Sequence, residues 1–347
     1  MTDLKRMLPE ELEAYLTAMG LPKFRAKQLF SWLSRGARDF DEMTNLPKEL
    51  REKLRAEAFI SGMKLLRKQT SARDGTVKYL WELGDGNAVE TVVMRYEHGA
   101  TVCISSQVGC RMGCAFCAST IGGLVRPLEA SEMLDEVLYS QAEFGEPISN
   151  IVLMGIGEPL DNYDNVLRFL RLVNRPEGLN IGMRHISLST CGLVDGIAAL
   201  REEDLQLTLA ISLHAPDDET RTRLMPANRG VGVAALEKAC RDYFAATGRR
   251  ITFEYAMIDG VNDSPEQAAA LAALAKRVRA HVNLIPLNHV EEREFSPSRP
   301  ERLRAFRAVL DRAGANYTLR RSLGGDVDAS CGQLRRKREL EERSEGQ

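Results

Sequence analysis

The chain has 347 residues, of which 44% are hydrophobic and 28% are charged, and its formal net charge at pH 7 is −2. This size allows one large core and a smaller appendage, and the near-neutral charge excludes binding of nucleic acid through the net field alone. No export signal and no apolar run long enough to span a bilayer occur, so we expect a soluble cytoplasmic protein whose seven cysteines are reduced thiols, ligands or catalysts.

The first sixty residues have the apolar spacing of helices, at 8–19, 24–33 and 50–58. We therefore predict a small helical accessory domain over 1–60. The character changes after that, because two β-rich runs at 76–81 and 88–94 flank the turn residues 84–87. This pattern predicts a β-hairpin connector over 61–98.

From residue 101 onward, short β-rich runs alternate with helical patterns such as 131–144 and 265–279. The runs are 101–105, 150–154, 185–189, 206–212, 251–257 and 282–286. Such alternation is typical of a parallel sheet, and six strands are too few for a closed eight-stranded barrel. We predict an α/β fold, an open, partial (β/α)6 barrel over 99–323, followed at 324–347 by a cysteine-containing loop and a charged tail that we expect to be disordered from residue 339.

Cys110, Cys114 and Cys117 form a C-x3-C-x2-C triplet, and the next cysteine downstream is Cys191. A four-iron cluster that only carries electrons uses four cysteines, and a structural zinc site also needs four ligands. Three thiolates would leave one iron open to chelation by the amino and carboxylate groups of S-adenosylmethionine. The triplet therefore favours a [4Fe–4S] cluster that cleaves S-adenosylmethionine to a 5′-deoxyadenosyl radical; zinc binding and coincidence are the alternatives.

Unusual polar and glycine residues follow the predicted strands at the end where chemistry sits in such folds. The triplet follows the first strand. The glycine-rich turn at 155–159 follows the second strand. Residues 189–192 end the third strand, residues 212–215 end the fourth, and Asn288 lies just past the sixth. Because these positions share one rim, they are candidates for binding the same ligand.

Several motifs together resemble the radical S-adenosylmethionine adenine carbon-2 methyltransferases that act on large-subunit ribosomal RNA. The motifs are TVCISSQVGC at 101–110, MGIGEPL at 154–160, AISLHAP at 210–216, NLIPLN at 283–288 and DASCGQL at 328–334. The resemblance extends over nearly the whole chain, including the helical N-terminus with PKFRAKQ at 22–28. It implies methylation of carbon 2 of an adenosine in the peptidyl transferase centre of 23S rRNA, and of an adenosine in the anticodon arm of some tRNAs.

The resemblance also implies roles for individual residues. The positions that would contact S-adenosylmethionine, two molecules of which would be used per turnover, are Gly157, Glu158, Ser189, Ser212, Leu213, His214 and Asn288. Glu90 would match the carboxylate assigned as proton acceptor. Cys331 would match the cysteine that is itself methylated, and Cys103 its disulfide partner. An electron donor such as flavodoxin or ferredoxin and a thiol reductant would be partners.

The chemistry explains why two further cysteines would be needed. Carbon 2 of adenine lies between two ring nitrogens and is too electron-poor to attack a sulfonium methyl group. A methyl group first placed on Cys331 could lose hydrogen to the radical and add to carbon 2. Once this adduct is oxidised and deprotonated, attack of Cys103 on the Cys331 sulfur could release the methylated base and leave a disulfide. Without the resemblance, Cys103 on a strand would be interpreted as core packing, Glu90 as a solvated carboxylate, and Cys191 and Cys240 as packing residues.

Three alternatives stay open at this point. Carbon-8 methylation of the same adenosine is the closest, and a radical enzyme acting on a protein or small molecule is the second. The third is a non-enzymatic iron–sulfur or zinc module that binds RNA. Basic clusters at 221–223, 249–250, 320–321 and 335–338 are candidate RNA contacts, but each could equally be a solvated face.

Overall fold

The computed structural model describes residues 1–288, 290–321, 323–327 and 332–345. Cys331 lies outside the described residues, so the structure does not test its predicted role directly. Within the described ranges, no helix is long and apolar enough to cross a membrane.

Three helices form the N-terminal unit: α1 (Pro9–Ala18), α2 (Phe24–Leu33) and α3 (Lys48–Glu57). Helix α1 begins at a proline, whose missing N–H is unneeded there, and the Leu8 N–H donates to Glu11 Oε2 at 2.9 Å. Strand β1 (Thr2–Asp3) pairs in parallel with β2 (Ala58–Phe59), which brings the two ends of the unit together. The three predicted helices are therefore present, with ends that differ by up to two residues.

The segment predicted as a hairpin is larger than expected. Strands β3 (Lys64–Thr70), β4 (Val77–Glu82) and β5 (Ala88–Tyr96) form an antiparallel meander, and β5 pairs with β6 (Gly99–Cys103). The meander is thus continuous with the main sheet, and β3 was missed from the sequence. A separate hairpin, β7 (Gln107–Gly109) with β8 (Leu124–Pro127), stands at the base of the cysteine loop.

The main sheet continues from β6 through parallel strands. These are β9 (Ile148–Leu153), β10 (Ile186–Thr190), β11 (Thr208–Ser212), β12 (Thr252–Met257), β13 (His281–Pro286) and β14 (Tyr317–Leu319). The helices of this region are α4 (Ala130–Phe144), α5 (Tyr163–Asn174), α6 (Val194–Glu202), α7 (Asp218–Leu224), α8 (Gly232–Thr247), α9 (Pro265–Val278) and α10 (Pro300–Ala313). The predicted partial (β/α)6 barrel is confirmed, and β14 adds one parallel strand at the edge.

The C-terminal segment departs from the prediction. Residues 333–345 form helix α11 (Gln333–Glu345), so the expectation of disorder from residue 339 was wrong as far as Glu345. High charge density argued for disorder, but the start of this helix is held by tertiary contacts with Glu90 that charge patterning does not reveal.

One apolar core joins the N-terminal helices to the barrel, since Leu12 and Leu54 belong to the same cluster as Val102 and Ile151. A buried ion pair reinforces the junction. Lys5 Nζ donates to Asp135 Oδ1 on α4 at 2.6 Å and to the Ser61 carbonyl at 2.7 Å. The helical unit is therefore packed against the outside of the barrel and not merely tethered to it.

Candidate active site

The three cysteines of the triplet lie on one loop whose ends are fixed by the hairpin β7–β8. The Cys110 N–H donates to the Gly123 carbonyl at 3.0 Å. Gly109 has a φ of +77°, and a Cβ there would lie 2.0 Å from the Gly123 oxygen. Only glycine fits this close approach, so the loop leaves and rejoins the hairpin at defined points.

Hydrogen bonds also hold the backbone between the cysteines. The Thr120 hydroxyl lies 3.1 Å from the Cys114 carbonyl oxygen and 3.0 Å from that of Cys117, and it can donate to either. Arg293 Nη2 donates to the Cys117 carbonyl at 3.0 Å. Thr120 belongs to the loop itself, whereas Arg293 is 176 residues from Cys117 in sequence, so the loop is shaped by a distant segment as well as by its own turns.

The chemistry of the thiols fits a cluster. Burial, with a smaller contribution from the charge of Cys117, raises the pKa of Cys110 to about 12 and also raises the pKa of Cys114, so bound metal is needed to keep both as thiolates at neutral pH. No group of three or more His, Cys, Asp or Glu side chains among the described residues could hold a single metal ion. A structural zinc site needs four ligands and the triplet offers three, whereas three thiolates can bind three of the irons of a four-iron cluster, so the loop fits the cluster better than zinc.

The predicted glycine-rich turn after β9 packs directly on the residues that precede the cysteine loop. The Gly155 N–H donates to the Ile104 carbonyl at 3.0 Å, and the Glu158 N–H donates to Gln107 Oε1 at 3.0 Å. Gly157 has a φ of +111°, and a Cβ there would lie 2.7 Å from the Gln107 nitrogen. The turn and the cysteine loop therefore form one rigid unit.

Glu158 has a structural contact that the sequence did not indicate. Its buried carboxylate accepts the N–H of Leu160 at 3.0 Å and that of Cys191 at 2.7 Å. Burial raises its pKa, and these hydrogen bonds oppose the rise. The side chain thereby joins the ends of β9 and β10.

The other predicted ligand contacts lie on the same rim. Ser189 and Ser212 lie in the last two residues of the neighbouring strands β10 and β11, and their hydroxyl oxygens are 3.4 Å apart. Each follows a fully buried core residue, Leu188 or Ile211, so both serines face the opposite, inner side of the sheet. Asn288 follows β13 and is exposed.

His214 links this rim to the cysteine loop. Its ring packs edge-on against Phe116, with centroids 4.9 Å apart, and Nδ1 accepts the Ala256 N–H at 3.0 Å. Burial, with a smaller contribution from Arg221, lowers its pKa to about 3. The imidazole is therefore neutral with its proton on Nε2, while the neighbouring Leu213 is buried.

Cys103 is buried but does not belong to the apolar core. Its sequence neighbours Val102 and Ile104 both lie in the main apolar cluster, whereas Cys103 is 8% exposed and lies outside it. Alternation along the strand places the thiol on the inner face of the sheet, the same face as Ser189 and Ser212. This position weakens the packing interpretation that the sequence alone favoured.

Glu90 shares that inner face. It lies on β5 two residues before Val92, which pairs with Cys103, so Glu90 and Cys103 are diagonal neighbours, about 7 Å apart between Cα atoms. Glu90 is 3% exposed, which contradicts the interpretation of a solvated carboxylate. Its Oε2 lies 2.9 Å from Nζ of the fully buried Lys78.

The Glu90 carboxylate holds the chain that follows Cys331. Oε2 accepts the Gly332 N–H at 2.7 Å, and Oε1 accepts the Arg335 N–H at 2.6 Å. Gly332 has a φ of +81°, and a Cβ there would lie 2.9 Å from the nitrogen of Ser119, next to the cysteine loop. Glu90 therefore fixes the start of α11 between the inner face of the sheet and the cysteine loop.

The burial of Arg221 was not predicted from the sequence, where this residue belonged to a basic cluster interpreted as an RNA contact or a solvated face. Arg221 is 1% exposed and donates to the Cys191 carbonyl and to Asn228 Oδ1, both at 2.5 Å. An arginine on a short helix gives no sequence signal of burial. Cys191 and Cys240 are both buried, as predicted for packing residues, and Cys240 lies within the main apolar cluster.

Comparison with known proteins agrees with this geometry. Residues 104–272 match the radical SAM superfamily, whose members use a [4Fe–4S] cluster and S-adenosylmethionine, and residues 2–60 match the ribosomal RNA large subunit methyltransferase N-terminal domain. The chain is 52% identical over 335 residues to a probable dual-specificity RNA methyltransferase RlmN from Alkaliphilus oremlandii, covering 96% of this chain and 98% of that protein. It is also 52% identical to the corresponding protein from Desulforamulus reducens, covering 97% of each chain.

A solved structure supports the same relationship. The crystal structure of a radical SAM methyltransferase from Sphaerobacter thermophilus superposes with a TM-score of 0.91 at 43% identity, covering 96% of this chain and 99% of that one. The likeness therefore includes the N-terminal helices as well as the barrel. The chain belongs to the RlmN family of radical SAM RNA methyltransferases.

Proposed function

We propose that this protein methylates carbon 2 of a specific adenosine in the peptidyl transferase centre of 23S rRNA, and of an adenosine in the anticodon arm of some tRNAs. The observation that carries the proposal is the position of Gly332. The residue directly after Cys331 is bonded to Glu90, one strand from Cys103, and packs on Ser119 beside the cysteine loop. A methyl-carrying Cys331 would thus be close to both the radical source and the resolving thiol.

The cofactors would be held by residues already described. Cys110, Cys114 and Cys117 would bind a [4Fe–4S] cluster, and the rim residues Gly157, Glu158, Ser189, Ser212, Leu213, His214 and Asn288 would contact S-adenosylmethionine. Together these groups supply a 5′-deoxyadenosyl radical. The protein's share is to orient the reacting atoms and exclude water, which the buried neutral His214 and the rigid turn at 155–158 favour.

Cys331, Glu90 and Cys103 would each carry out one step of the methyl transfer. The Cys331 sulfur would accept a methyl group from a first S-adenosylmethionine. The radical would remove one hydrogen from that methyl group, and the carbon would join carbon 2 as a radical adduct. This adduct would lose one electron, which the oxidised iron–sulfur cluster could take up, and the Glu90 carboxylate would accept its carbon-2 proton. The Cys103 thiolate would then attack the Cys331 sulfur, releasing methylated RNA, and a cellular thiol would reduce the resulting disulfide.

Each part of the chain would have its own role in the reaction. Residues 1–60 would bind folded RNA, and residues 61–98 would support the C-terminal segment. Residues 99–323 would hold the cofactors, and residues 324–347 would carry Cys331 and the charged tail. The target base must be splayed from its stack to reach the inner face of the barrel, at a cost of a few kcal/mol. A flavodoxin- or ferredoxin-type protein would supply electrons.

Nucleoside mass spectrometry tests the reaction directly. RNA from cells that lack this protein should lose 2-methyladenosine from 23S rRNA and from a subset of tRNAs, and the wild-type gene should restore both. A gene encoding Cys331→Ser should restore neither. A lost 8-methyladenosine would instead indicate the carbon-8 reaction, and unchanged RNA would refute an RNA substrate.

Isotope labelling tests the role of Cys331 as carrier. Protein that carries a trideuterated methyl group on Cys331 should transfer two deuterium atoms into the product in a single turnover with unlabelled S-adenosylmethionine. The third position should be filled from solvent, because one deuterium leaves as 5′-deoxyadenosine. Transfer of three deuterium atoms, or none, would contradict the proposed carrier chemistry.

A further inference from the structure

Two turns that are far apart in sequence hold each other by reciprocal hydrogen bonds. The first is the β3–β4 turn at 71–76, and the second is the turn at 324–327, just before the segment that contains Cys331. Asp74 Oδ2 accepts the Gly324 N–H at 2.8 Å. In the opposite direction, Asp326 accepts the Ser71 hydroxyl at 2.6 Å and the Ala72 N–H at 2.9 Å. We call this pair of turns the aspartate clasp.

Both carboxylates of the clasp are stabilised in their charged form. The hydrogen bond from the Ser71 hydroxyl is the largest of the effects that lower the pKa of Asp326. Burial acts to raise the pKa of Asp74, but the Gly324 N–H and the donors of Thr76 outweigh it and lower the value to about 2. The clasp is therefore fully charged at neutral pH, and amide replacements would each remove an acceptor.

The first turn is also well supported within its own sheet. Ser71 is 3% exposed and its N–H donates to the Thr76 carbonyl at 2.8 Å, closing the β3–β4 connection. The second turn has its own bond, from the Val327 N–H to the Gly324 carbonyl at 3.1 Å. A preformed turn on a rigid sheet thus binds a preformed turn of the C-terminal segment.

The clasp and Glu90 hold the two sides of the same stretch of chain. The clasp fixes 324–327, and the Glu90 carboxylate fixes Gly332 at 2.7 Å, so only residues 328–331 separate the two anchors. Both anchors belong to the meander β3–β5, which the sequence indicated only as a connector. The described residues on each side of 328–331 are therefore both held by this meander.

We propose that Asp74 and Asp326 are positioning residues for methylation of, and methyl delivery from, Cys331, and that the β3–β5 meander is the platform on which the methyl-carrying segment is held. This inference rests on the proposed function of Cys331. Neither aspartate needs to touch the cofactor or RNA. Each acts by confining Cys331 to the geometry in which its sulfur meets the reacting carbon.

The test uses full-length, anaerobically reconstituted protein carrying Asp74→Asn, Asp326→Asn or both. The matched control is Asp242→Asn, because Asp242 is also an ion-paired aspartate with a lowered pKa but lies on the outer helix α8. Three quantities are measured: iron content, the rate of Cys331 methylation by peptide mass spectrometry, and the ratio of methylated RNA to 5′-deoxyadenosine formed.

We expect iron content and thermal midpoint to stay near wild type while each clasp variant methylates Cys331 and RNA about 10- to 100-fold more slowly, as small misplacements of reacting groups do. The yield of methylated RNA per 5′-deoxyadenosine should also fall. The double variant should lose less than the product of the two single effects, because both remove one clasp. The control should match wild type.

Two outcomes separate failure of the clasp from failure of the proposed function. Wild-type rates of Cys331 methylation and wild-type coupling in the double variant would overturn the clasp. Full RNA methylation by Cys331→Ser would instead overturn the proposed function, whatever the aspartate variants do. Should the carboxylate variants fold poorly, Ser71→Ala removes only the hydroxyl donor and should give a smaller loss of the same coupling ratio, and an unchanged ratio there would count against the clasp.

Discussion

Replacing Cys114 by alanine should give a colourless protein with no detectable RNA methylation. Each of the three thiolates of the loop would bind a different iron, so loss of one leaves a site that cannot hold a stable four-iron cluster. The wild-type protein, purified without oxygen, should be brown and should contain close to four irons per chain. Iron analysis and the visible absorption spectrum measure both properties before any activity is assayed.

The matched control for that prediction is Cys191→Ala. Cys191 is a buried cysteine in the small apolar cluster against which Cys114 packs, but it lies outside the triplet. It should therefore retain the cluster, with losses limited to packing. A brown, iron-replete and active Cys114→Ala protein would refute the assignment of the triplet, and a colourless Cys191→Ala protein would show that the loop cysteines do not act alone.

The barrel could be predicted from sequence because its strands are local, nearly continuous apolar runs. The run predicted at 251–257 is strand β12 (Thr252–Met257), and the helix predicted at 24–33 is α2 (Phe24–Leu33). Strand β3 was missed because Lys64, Arg67 and Lys68 interrupt its apolar pattern at the edge of the sheet. Strand β14 was missed because three residues are too few to give a period.

The chemistry-bearing residues divide in the same way. The cysteine triplet can be recognised in the sequence by its spacing. Whether Glu90 and Cys103 can take part in the chemistry depends on which face of its strand each side chain occupies. A shift of one residue in register would move either side chain to the other face, and no local pattern fixes that choice. Their neighbourhood follows only from the pairing of Val92 with Cys103, which joins strands from two predicted domains.

The C-terminal contacts were beyond sequence reasoning for a different reason. Asp74 and Asp326 are separated by more than half of the chain, and each sits among turn residues that favour aspartate for local reasons. Only the folded sheet shows that their carboxylates accept hydrogen bonds from each other's turns. Arg221 is similar, because its burial depends on acceptors supplied by Cys191 and Asn228.

Cys103→Ala should convert the protein from a multiple-turnover enzyme into one that traps its own substrate. Methylation of Cys331, hydrogen removal and carbon–carbon bond formation need no thiol at position 103, so these steps should proceed. Release requires attack on the Cys331 sulfur by a second thiolate, and Cys103 lies on the inner face of β6 as a diagonal neighbour of the Glu90 that holds Gly332. Without it, RNA should stay attached through Cys331.

The trapped species is measurable by denaturing gel electrophoresis. It should migrate more slowly than free protein, survive denaturation, and disappear after ribonuclease treatment. Cys240→Ala is the matched control, since Cys240 is a fully buried cysteine in the main core and its loss should lower stability without trapping RNA. The double variant Cys103→Ala, Cys331→Ser should form no adduct, because the attachment point is absent. Normal multiple turnover by Cys103→Ala would show that this cysteine only packs, and an adduct that persists in the double variant would place the attachment at another residue.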